Sequence, residues 1–395
     1  MLKQAVFLVG GMGTRLGEIT RATPKPLVEV DGRPFLDYLL DEAARHGFSD
    51  IVLLAGHHGD QVIQAYDGRK VHGATVRVLR EPSPMGTGGA ITFALPHLDE
   101  TFLLANGDSF FDINLRALPL PEPGGMTMAL RRVAEGGRYG NVRFEGGKVL
   151  SFHQPAENVS GPINAGIYIM HCGFFDGAPD GAFSLEGVMF PLRAGERRIG
   201  GRVVEGWFID IGVPDDLSRS REEMRRRVTR PAVFFDRDGV LNEEINYLHR
   251  AEDVRWMPGA REAVRAANDA GCFVFVVTNQ AGVAKGRYPE SAVTVLHDWM
   301  ARELAAVGAH VDAFEYCPHH VDGVVAAYAR PCRRRKPEPG MIEDLLRDWP
   351  VDKAASLLVG DKDSDIEAAQ AAGIPGHLYD GGNLQALVTK FLPPR

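Results

Sequence analysis

Short apolar runs alternate with segments of helical periodicity along most of the chain. In the first half the apolar runs cover residues 5–9, 51–55, 75–79 and 102–105, and helical patterns lie near 34–46, 59–66 and 87–95. Such alternation predicts βαβ units and a largely parallel sheet. Residues 126–169 carry shorter alternating runs and predict a mixed insertion in that sheet.

The clearest change in pattern lies near residue 228. A helical stretch over 215–227 ends in Arg225-Arg226-Arg227, and Pro231 then leads into a new apolar strand. We interpret the basic run as a solvated helix face. A second α/β pattern follows, with strands predicted over 232–235, 273–277 and 355–359 and helices near 259–270, 289–306, 338–348 and 364–372. We therefore predict two doubly wound α/β domains, residues 1–228 with a mixed sheet and residues 229–395.

Composition narrows the classes of function. The 395 residues are 45% apolar and 24% charged, which is ordinary for globular proteins. A net charge of −8 argues against broad binding to nucleic acid. The apolar runs are shorter than the roughly 20 residues that span a bilayer, and the N-terminus shows no signal-peptide pattern, so we expect a cytoplasmic protein without a membrane partner. The four cysteines predict no disulfide framework, and a homodimer is left open.

A glycine-rich turn follows the first apolar run. It reads Gly10-Gly11-Met12-Gly13-Thr14-Arg15-Leu16. The turn departs from the dinucleotide-binding fingerprint, because Leu16 stands at the third glycine position, and it is not a P-loop. Its backbone N–H groups can approach a phosphate, and Arg15 adds a planar fork of donors. Taken alone, it is equally compatible with a simple tight turn.

Later segments favour phosphate chemistry. Lys25 lies between two prolines, which restrict the backbone on either side. A second glycine-rich turn, over residues 86–90, follows Glu81 and leads into a helix. Asp108 follows the strand at 102–105, where parallel sheets place ligand chemistry, and Asp210 follows a later strand. Two converging carboxylates suit a Mg²⁺ that bridges phosphates.

In this order, the segments G-G-x-G-T-R-L, P-K-P, G-T-G-G-A, N-G-D, N-A-G and I-D-I-G resemble the sugar-1-phosphate nucleotidyltransferases over about residues 1–217. The heptose and mannose guanylyltransferase branch is the most similar. The resemblance implies that Gly11, Gly13 and Thr14 bind phosphate, and that Arg15 and Lys25 bind the triphosphate and stabilise the transition-state charge. It implies that Glu81, Gly86 and Gly88 bind the base. It also implies that Asp108 and Asp210 bind Mg²⁺ and that Asn164 and Glu186 bind the sugar.

The implied reaction is an in-line attack of the sugar-phosphate oxygen on the α-phosphorus, with pyrophosphate leaving. That oxygen is already ionised, so we expect catalysis to come from positioning and charge neutralisation. One position departs from the family. Where a lysine before a proline often contacts the sugar phosphate, this chain has Gln154 before Pro155. Either Gln154 makes a weaker contact or another basic residue substitutes.

A second motif follows the apolar strand at 232–235. It reads Asp236-Arg237-Asp238-Gly239-Val240-Leu241-Asn242. Two carboxylates two positions apart on a tight loop can reach one phosphoryl group. Asp236 would attack phosphorus, and Asp238 would protonate the leaving alkoxide and then activate the hydrolytic water.

Three later segments complete this set. Thr278 and Asn279 end a strand and can bind phosphoryl oxygens, and Lys336 can neutralise developing charge. Asp361 follows the strand at 355–359 and is placed to bind Mg²⁺, with Asp236 and Asp238 as its partners in the metal site. The order resembles the haloacid-dehalogenase-type phosphatases over about residues 231–390. Asp363 and Asp365 suit a helix N-terminus, and Asp365 also matches the family's last acidic position.

Finer details are similar to the heptose bisphosphate phosphatases and to the phosphatase half of bifunctional histidine-biosynthesis enzymes. These details are the segment 277–286, which contains Lys285, and the segment 317–320. The resemblance implies that Lys285 and Arg335 bind substrate.

Those relatives also carry a zinc-stabilised loop, C-x-H followed by C-x-C, just before R-K-P. Here Cys317, His319 and Cys332 match three ligands, and Arg334 occupies the fourth position. Structural zinc prefers four protein ligands, so we expect a loop held by packing. A weak zinc site completed by His320 or water is the alternative.

Three hypotheses follow. The preferred one is a bifunctional enzyme with Mg²⁺ in both domains. Its second domain removes the 7-phosphate of D-glycero-D-manno-heptose 1,7-bisphosphate, and its first transfers a nucleotidyl group, GMP from GTP, to the heptose 1-phosphate. The second hypothesis is a hexose-1-phosphate nucleotidyltransferase with another base, joined to a histidinol-phosphate-like phosphatase. The third makes one domain an inactive binding module, and the presence of the expected carboxylates with Lys25 and Lys336 argues against it.

Overall fold

The computed structural model describes residues 2–11, 16–17, 19–133, 140–153 and 160–394. The chain divides into two compact units, Leu2–Arg225 and Arg226–Arg395, and the helix Pro214–Val228 runs across the division. Among the described residues, no helix is both long enough and apolar enough to cross a membrane.

The first unit contains strands and helices in alternation. Its described strands are β1 (Gln4–Leu8), β2 (Glu29–Val30), β3 (Arg33–Pro34), β4 (Asp50–Ala55), β5 (Lys70–Val71), β6 (Ala74–Arg80), β7 (Thr101–Asn106), β8 (Ser109–Phe111), β9 (Met126–Val133), β10 (Val142–Glu145), β11 (Lys148–Phe152), β12 (Gly161–His171), β13 (Ile199–Val203) and β14 (Phe208–Asp210). Its described helices are α1 (Ile19–Ala22), α2 (Phe35–Arg45), α3 (Gly59–Tyr66), α4 (Gly86–Ala94), α5 (Phe190–Gly195) and α6 (Pro214–Val228).

Most of these strands form one mixed sheet, in the order β10-β11-β13-β9-β12-β7-β1-β4-β6-β5. The neighbours β7, β1, β4 and β6 run parallel, whereas β12 pairs antiparallel with both β7 and β9. The parallel strands β1, β4 and β7 are apolar and buried along most of their length, which is typical of parallel strands. The segment 126–171 contains β9 to β12, which make most of the antiparallel pairings, as the predicted mixed insertion requires; β13 joins them from later in the chain, and β5 also pairs antiparallel with β6.

The second unit has its own parallel sheet. Its described strands are β15 (Ala232–Phe235), β16 (Phe273–Asn279), β17 (Ala313–Cys317), β18 (Leu357–Gly360) and β19 (Gly376–Leu378), in the order β17-β16-β15-β18-β19. Its described helices are α7 (Ala260–Asp269), α8 (Glu290–Ala306), α9 (Gly340–Asp348), α10 (Asp363–Ala372) and α11 (Leu384–Val388). Each pairing in this sheet is parallel.

The second sheet has an apolar cluster on each face. Val233, Phe235 and Val274 belong to one cluster, and Phe234 and Phe275 belong to the other. Because side chains alternate along a strand, a run that is apolar throughout supplies both faces. The central strand β15 is therefore held from both sides, and its carboxyl end is a rigid support for the residues that follow.

Candidate active sites

The first candidate site lies at the carboxyl ends of the parallel strands of the first unit. A cavity of about 600 Å³ opens there. Its lining comes from the residues that follow β1, β4 and β6 and from the start of α4, namely Leu8, Gly10, Gly11, Gly56, His57, Arg80, Glu81, Pro82, Ser83, Pro84, Met85, Gly86, Thr87 and Ala90. Sequence reasoning missed Gly56 and His57, although their place directly after a buried strand was a usable signal.

Glu81 is the carboxylate of this cavity. One of its oxygens accepts the Met85 backbone N–H at 3.1 Å. Its other oxygen packs against backbone, because a Cβ on Gly10 would lie 2.6 Å from it and a Cβ on Gly56 would lie 3.1 Å from it. Burial raises the pKa of Glu81, and the Met85 hydrogen bond opposes that rise. Gly10 and Gly56 thus leave room for the Glu81 carboxylate in the lining of the cavity.

The second glycine turn packs against the segment that contains Phe183. A Cβ on Gly88 would lie 2.1 Å from the Phe183 ring, and a Cβ on Gly86, whose φ is +66°, would lie 2.6 Å from the Phe183 carbonyl oxygen. Gly86 also lines the cavity, whereas Gly88 serves this packing contact. The Thr87 hydroxyl donates to Glu186 at 2.8 Å, so that carboxylate lies at the start of α4.

Lys25 joins the two carboxylates that the sequence assigned to Mg²⁺. Its ammonium nitrogen lies 2.5 Å from Asp108 and 3.7 Å from Asp210. Asp210 also accepts the Gly212 backbone N–H at 2.7 Å. These two carboxylates share a single ammonium group and offer hard oxygen ligands, which is a donor set that fits Mg²⁺ beside a triphosphate.

Asn164 is held within its own strand. Its side-chain amide donates to the Tyr168 hydroxyl at 2.8 Å, and its oxygen accepts the Gly166 N–H at 2.9 Å. Gly166 has a φ of +74°, and a Cβ there would lie 2.7 Å from the Asn106 amide nitrogen. These contacts link the N-A-G segment to the end of β7, one residue from the Gly107-Asp108 pair. Gly13, Thr14, Arg15 and Gln154 lie outside the described residues, and their roles stay predictions.

The second candidate site lies at the carboxyl ends of β15, β16 and β18. A cavity of about 500 Å³ is lined there by Asp236, Asp238, Glu244, Ile245, Asn246, Tyr247, Leu248, Thr278, Asn279, Gln280, Ala281, Gly282, Tyr288, Arg335, Lys336, Pro337, Lys362, Ser364 and Asp365. Gly239 has a φ of +87°, and a Cβ there would lie 2.3 Å from an Asp361 oxygen. Only glycine therefore lets the Asp236–Asn242 loop approach Asp361 this closely.

Lys336 is buried between two carboxylates. Its ammonium nitrogen lies 2.7 Å from Asp236 and 2.5 Å from Asp365, and it donates to the Val277 carbonyl at 2.8 Å. Burial raises the pKa of Asp236 to about 7, and the positive charge of Lys336 opposes that rise. The pKa of Lys336 is raised, because its two carboxylates outweigh the opposing effect of burial.

Asp236, Asp361 and Asp365 form a carboxylate cluster. Within the described part of the chain, one oxygen from each lies within 4.8 Å of the others. One Asp361 oxygen is buried and has no hydrogen-bond partner, and burial raises the pKa of that residue. An orphaned buried oxygen beside two other carboxylates fits Mg²⁺. The sequence had placed Asp238 in the metal site and Asp365 beside it, whereas the cluster contains Asp365.

Asp238 points its carboxylate at side-chain donors. Its first oxygen accepts from Arg237 Nε at 3.2 Å and from Asn242 at 3.0 Å. Its second oxygen accepts from Arg237 Nη2 at 3.0 Å and from Gln280 at 2.9 Å. The sequence did not predict Arg237 and Gln280 as site residues, because neither stands at a motif position whose side chain is expected to contact phosphate or metal.

The remaining residues assigned to this site have distinct positions. Thr278 lines the cavity, and its hydroxyl accepts the Gln280 amide at 2.9 Å. Asn279 pairs reciprocally with the backbone of Lys336, at 3.0 and 3.1 Å, and so holds the lysine segment against β16. Arg335 lines the cavity, whereas Lys285 is not among the lining residues and has its ammonium 5.8 Å from the centre of the ring of Tyr247, which does line it.

The cysteine loop brings its three potential ligands together. Ligand atoms of Cys317, His319 and Cys332 lie within 4.8 Å of one another. However, Arg330 donates to His319 Nε2 at 3.1 Å. Since a guanidinium can only donate, the His319 proton must lie on Nδ1, the nitrogen that faces the Cys317 sulfur at 3.8 Å. That nitrogen then has no lone pair to offer to a metal.

Arg334, at the fourth ligand position, is engaged elsewhere. Its guanidinium is paired with Glu315 on β17 and lies 3.5 Å from Asp344 on α9. The Cys317 thiol is buried, and burial raises its pKa to about 11. The loop thus brings three potential ligands together, and the arginine at the fourth position ties the loop to a strand and a helix of the same unit.

These two sites define a nucleotide transferase and a phosphatase on one chain. A family model for nucleotidyl transferases matches residues 4–225, and one for haloacid-dehalogenase-like hydrolases matches residues 333–392. The chain therefore belongs to the nucleotidyl transferase family, and its second unit belongs with the haloacid-dehalogenase-type phosphatases. Both resemblances read from the sequence, and the predicted fold class, are confirmed.

Three similar proteins are the most informative. The D-glycero-beta-D-manno-heptose-1,7-bisphosphate 7-phosphatase of Rhodopseudomonas palustris is 50% identical over 163 residues, which are 41% of this chain and 91% of that protein. The D-glycero-alpha-D-manno-heptose 1-phosphate guanylyltransferase of Aneurinibacillus thermoaerophilus is 30% identical over 230 residues, which are 57% of this chain and 100% of that protein. HddC from Yersinia pseudotuberculosis, solved in complex with GMP-PN, is 27% identical with a TM-score of 0.50, over 56% of this chain and 100% of that structure.

Proposed function

We propose that the second unit hydrolyses the 7-phosphate of a D-glycero-D-manno-heptose 1,7-bisphosphate. The observation that carries this is the pairing of Asp236 with Lys336 inside the carboxylate cluster, at the end of the central strand. Similarity to a heptose bisphosphate 7-phosphatase over nine-tenths of that protein supports the choice of substrate.

The reaction has two steps. An Asp236 oxygen forms a bond to phosphorus as the P–O bond to the sugar breaks, and the proton of a carboxyl group at Asp238 passes to the leaving alkoxide. Asp238 then takes a proton from water, which attacks the aspartyl-phosphate and regenerates the Asp236 carboxylate. Lys336 offsets the charge on Asp236 and on the phosphoryl group. Mg²⁺, held by Asp236 and Asp361, would supply further neutralisation of phosphoryl charge.

The first unit, in this proposal, transfers GMP from GTP to the heptose 1-phosphate and releases pyrophosphate. An oxygen of the sugar phosphate attacks the α-phosphorus, and the bond to the leaving pyrophosphate breaks. Lys25 is placed to neutralise charge on the phosphates, and Asp108 and Asp210 would hold Mg²⁺. Arg15 completes this set as predicted from the sequence.

Glu81 supports guanine as the base. The Watson–Crick edge of guanine presents two adjacent N–H donors, and a carboxylate can accept both. Adenine, cytosine and thymine each have a single donor group on that edge with an acceptor beside it, and this acceptor would face the second carboxylate oxygen and be repelled. Glu81 lines the cavity beside Gly10 and Gly56, which suits such a contact with the edge of the base. The similar HddC structure, which contains GMP-PN, supports the same base.

We infer the anomer of the substrate from the carbon atom of the sugar at which each reaction takes place. The similar phosphatase is named for the β anomer and the similar transferase for the α anomer. Hydrolysis at carbon 7 is remote from carbon 1, whereas transfer takes place on the 1-phosphate itself and depends on its in-line geometry. The transferase is therefore the better guide, and we propose the α anomer as the one that both units process in sequence.

A coupled assay tests the proposal. The purified chain with Mg²⁺ receives the α or the β bisphosphate together with GTP, ATP, CTP or dTTP, and phosphate, pyrophosphate and nucleotide-sugar are measured separately. We expect phosphate release first and then nucleotide-sugar from the α anomer with GTP. Phosphate release without any coupling would overturn the transferase substrate. An intact bisphosphate would overturn the phosphatase substrate, and coupling with another triphosphate would overturn the role of Glu81.

A further inference from the structure

Arg237 lies inside the phosphatase motif, between the two carboxylates, and is buried. Its side chain is 1% exposed and is among the largest fully buried side chains of the described residues. A guanidinium is costly to remove from water unless its N–H groups are satisfied. The contacts of Arg237 therefore show which groups compensate for the loss of water around its charge.

The guanidinium grips Asp238 as a fork. Nε and Nη2 lie 3.2 and 3.0 Å from the two oxygens of that carboxylate. Nη2 also donates to the Leu248 carbonyl at 3.2 Å. A two-point contact between planar groups fixes the rotation of the carboxylate as well as its position, which a single ammonium contact cannot do.

His297 holds the far end of Arg237. Its Nε2 lies 3.2 Å from Arg237 Nη1 and accepts that N–H, so the ring is neutral in this contact. The ring stacks on Phe314, with centroids 4.7 Å apart, and burial together with the Arg237 charge lowers the pKa of His297. A helix (α8) and a strand (β17) thus support the arginine from behind.

Gln280 holds Asp238 from the other side. Its amide nitrogen donates to Asp238 at 2.9 Å and to the Thr278 hydroxyl at 2.9 Å. Its oxygen accepts the buried Tyr288 hydroxyl at 2.8 Å, which fixes the orientation of the amide. Each oxygen of Asp238 thus has two described N–H partners, one of them from Arg237.

We propose that Arg237 is a positioning residue of the phosphatase, which fixes the rotation of the Asp238 carboxyl group for proton transfer to the leaving alkoxide. In the protonated form the Asn242 or Gln280 amide releases the oxygen that carries the proton, while the Arg237 contact remains. This inference rests on the proposed phosphatase function, since it needs Asp238 to act as acid. Asp236 forms the new bond to phosphorus in the same step, and Arg237 itself neither gains nor loses a proton. The contrasting explanation is a buried ion pair that only stabilises the fold.

Leaving-group dependence separates the two explanations. A sugar alkoxide is a poor leaving group and needs the proton, whereas p-nitrophenolate leaves without it. The test measures kcat/KM for the heptose bisphosphate and for p-nitrophenyl phosphate with the full chain, its Arg237→Met and Arg237→Lys variants, and Tyr288→Phe. The quantity compared is the ratio of the sugar-phosphate value to the aryl-phosphate value.

We expect Arg237→Met to lower this ratio by about 10²-fold, from the usual size of acid catalysis, with p-nitrophenyl phosphate hydrolysis reduced much less. Arg237→Lys keeps the charge without the fork and should lower the ratio by about tenfold. Tyr288→Phe releases Gln280 and should lower it slightly in a protein that keeps its core. An unchanged ratio, with both substrates slowed equally, would overturn the proposal.

Two controls keep the result decisive. If Arg237→Met does not fold, the ratio in Arg237→Lys and Tyr288→Phe gives the answer, and an unchanged ratio in both overturns the inference. If the wild-type chain hydrolyses p-nitrophenyl phosphate but not the heptose bisphosphate, the proposed substrate is wrong. The same ratio is then measured with a simple alkyl phosphate, so that failure of the substrate and failure of the Arg237 role remain distinct.

Discussion

Asp236 is a carboxylate that must stay reactive in a buried place. Lys336 pairs with it at 2.7 Å, but the same ammonium is shared with Asp365. Burial is the main cause that raises the pKa of Asp236 to about 7; the charge of Lys336 opposes the rise, and the charges of Asp365 and Asp238 add to it. The excess of carboxylates over ammonium groups at this site favours the binding of a cation, alone or together with the substrate.

This electrostatic balance predicts a pH-dependent stability. Because the pKa of Asp236 is raised in the folded protein from its ordinary 3.8, protonation favours folding. That contribution is present at pH values below about 4 and is lost as the pH rises through about 7. Asp236→Asn lacks the titration and leaves Lys336 paired with Asp365. The quantity compared is the Tm of the variant minus the Tm of the wild type, measured with a chelator present. This difference should be about 3 °C larger at pH 8 than at pH 5.

Calorimetry with the matched surface variant Asp298→Asn checks this expectation. Asp298 is exposed on α8, so its replacement should leave the Tm difference constant with pH. Addition of Mg²⁺ should reduce or reverse the higher Tm of Asp236→Asn, because the wild type keeps the Asp236 carboxylate that binds the ion. A Tm difference that is the same at pH 5 and pH 8 would contradict the buried-charge explanation.

Glu81 is expected to set the choice of base. In Glu81→Gln one acceptor becomes an NH₂ donor, which faces a donor of guanine and leaves a buried polar group unpaired. We expect kcat/KM for GTP to fall about 10²-fold, with a smaller loss for ATP. The measurement is pyrophosphate release with a fixed concentration of sugar 1-phosphate. Glu186→Gln is a useful comparison, because Glu186 lies near α4 and is expected to affect the sugar rather than the base.

At the scale of elements, the loop between β17 and α9 carries Arg335 and Lys336 into the phosphatase site. Arg334 anchors this loop to Glu315 on β17 and to Asp344 on α9. The cysteines beside it make no disulfide. The loop is therefore held by charge pairs that connect it to β17 and α9.

This arrangement predicts a gain of zinc on a single substitution. Arg334→Cys would supply a fourth ligand and remove a positive charge from the loop. The purified wild type should contain far less than one zinc per chain, and Arg334→Cys should approach one, as measured by elemental analysis. Arg333→Cys, one position earlier, is the control and should not gain zinc. Stoichiometric zinc in the wild type would show that Arg330 and His319 rearrange on binding.

At the scale of the whole molecule, each set of site residues belongs to one unit. The transferase residues lie between Gly10 and Asp210, and the phosphatase residues lie between Asp236 and Asp365, on either side of the division at residue 225. Each unit also has its own sheet and its own apolar clusters. We therefore expect the two activities to be separable by substitution.

A crossover experiment tests this independence. Asp236→Asn should abolish phosphate release from the bisphosphate, while transfer of GMP to preformed heptose 1-phosphate stays within about twofold of the wild type. Asp108→Asn should do the reverse. An equimolar mixture of the two variants should restore conversion of bisphosphate to nucleotide-sugar. Loss of both activities in either variant would show that the units depend on each other.

Sequence alone was sufficient for the local features of this protein. Apolar runs with glycine turns at their ends marked β1 and β15, and the order of the motifs identified both families, because a strand and the turn after it depend on neighbouring residues. Asp236, Lys25 and Asp361 were predicted as site residues in this way. The short half-buried strand β17 and the terminal elements β19 and α11 were missed, since their patterns are too short to show a period.

Tertiary structure alone decided which distant residues meet. His297 supports Arg237 from 60 positions away, and Arg334 finds its partners on β17 and α9. Gly88, which the sequence assigned to the base, packs against Phe183. These contacts arise where helices and strands from remote parts of the chain pack together, and burial then decides which charges must pair. Periodicity and motif spacing carry no information about such distances, whereas the packed core fixes them.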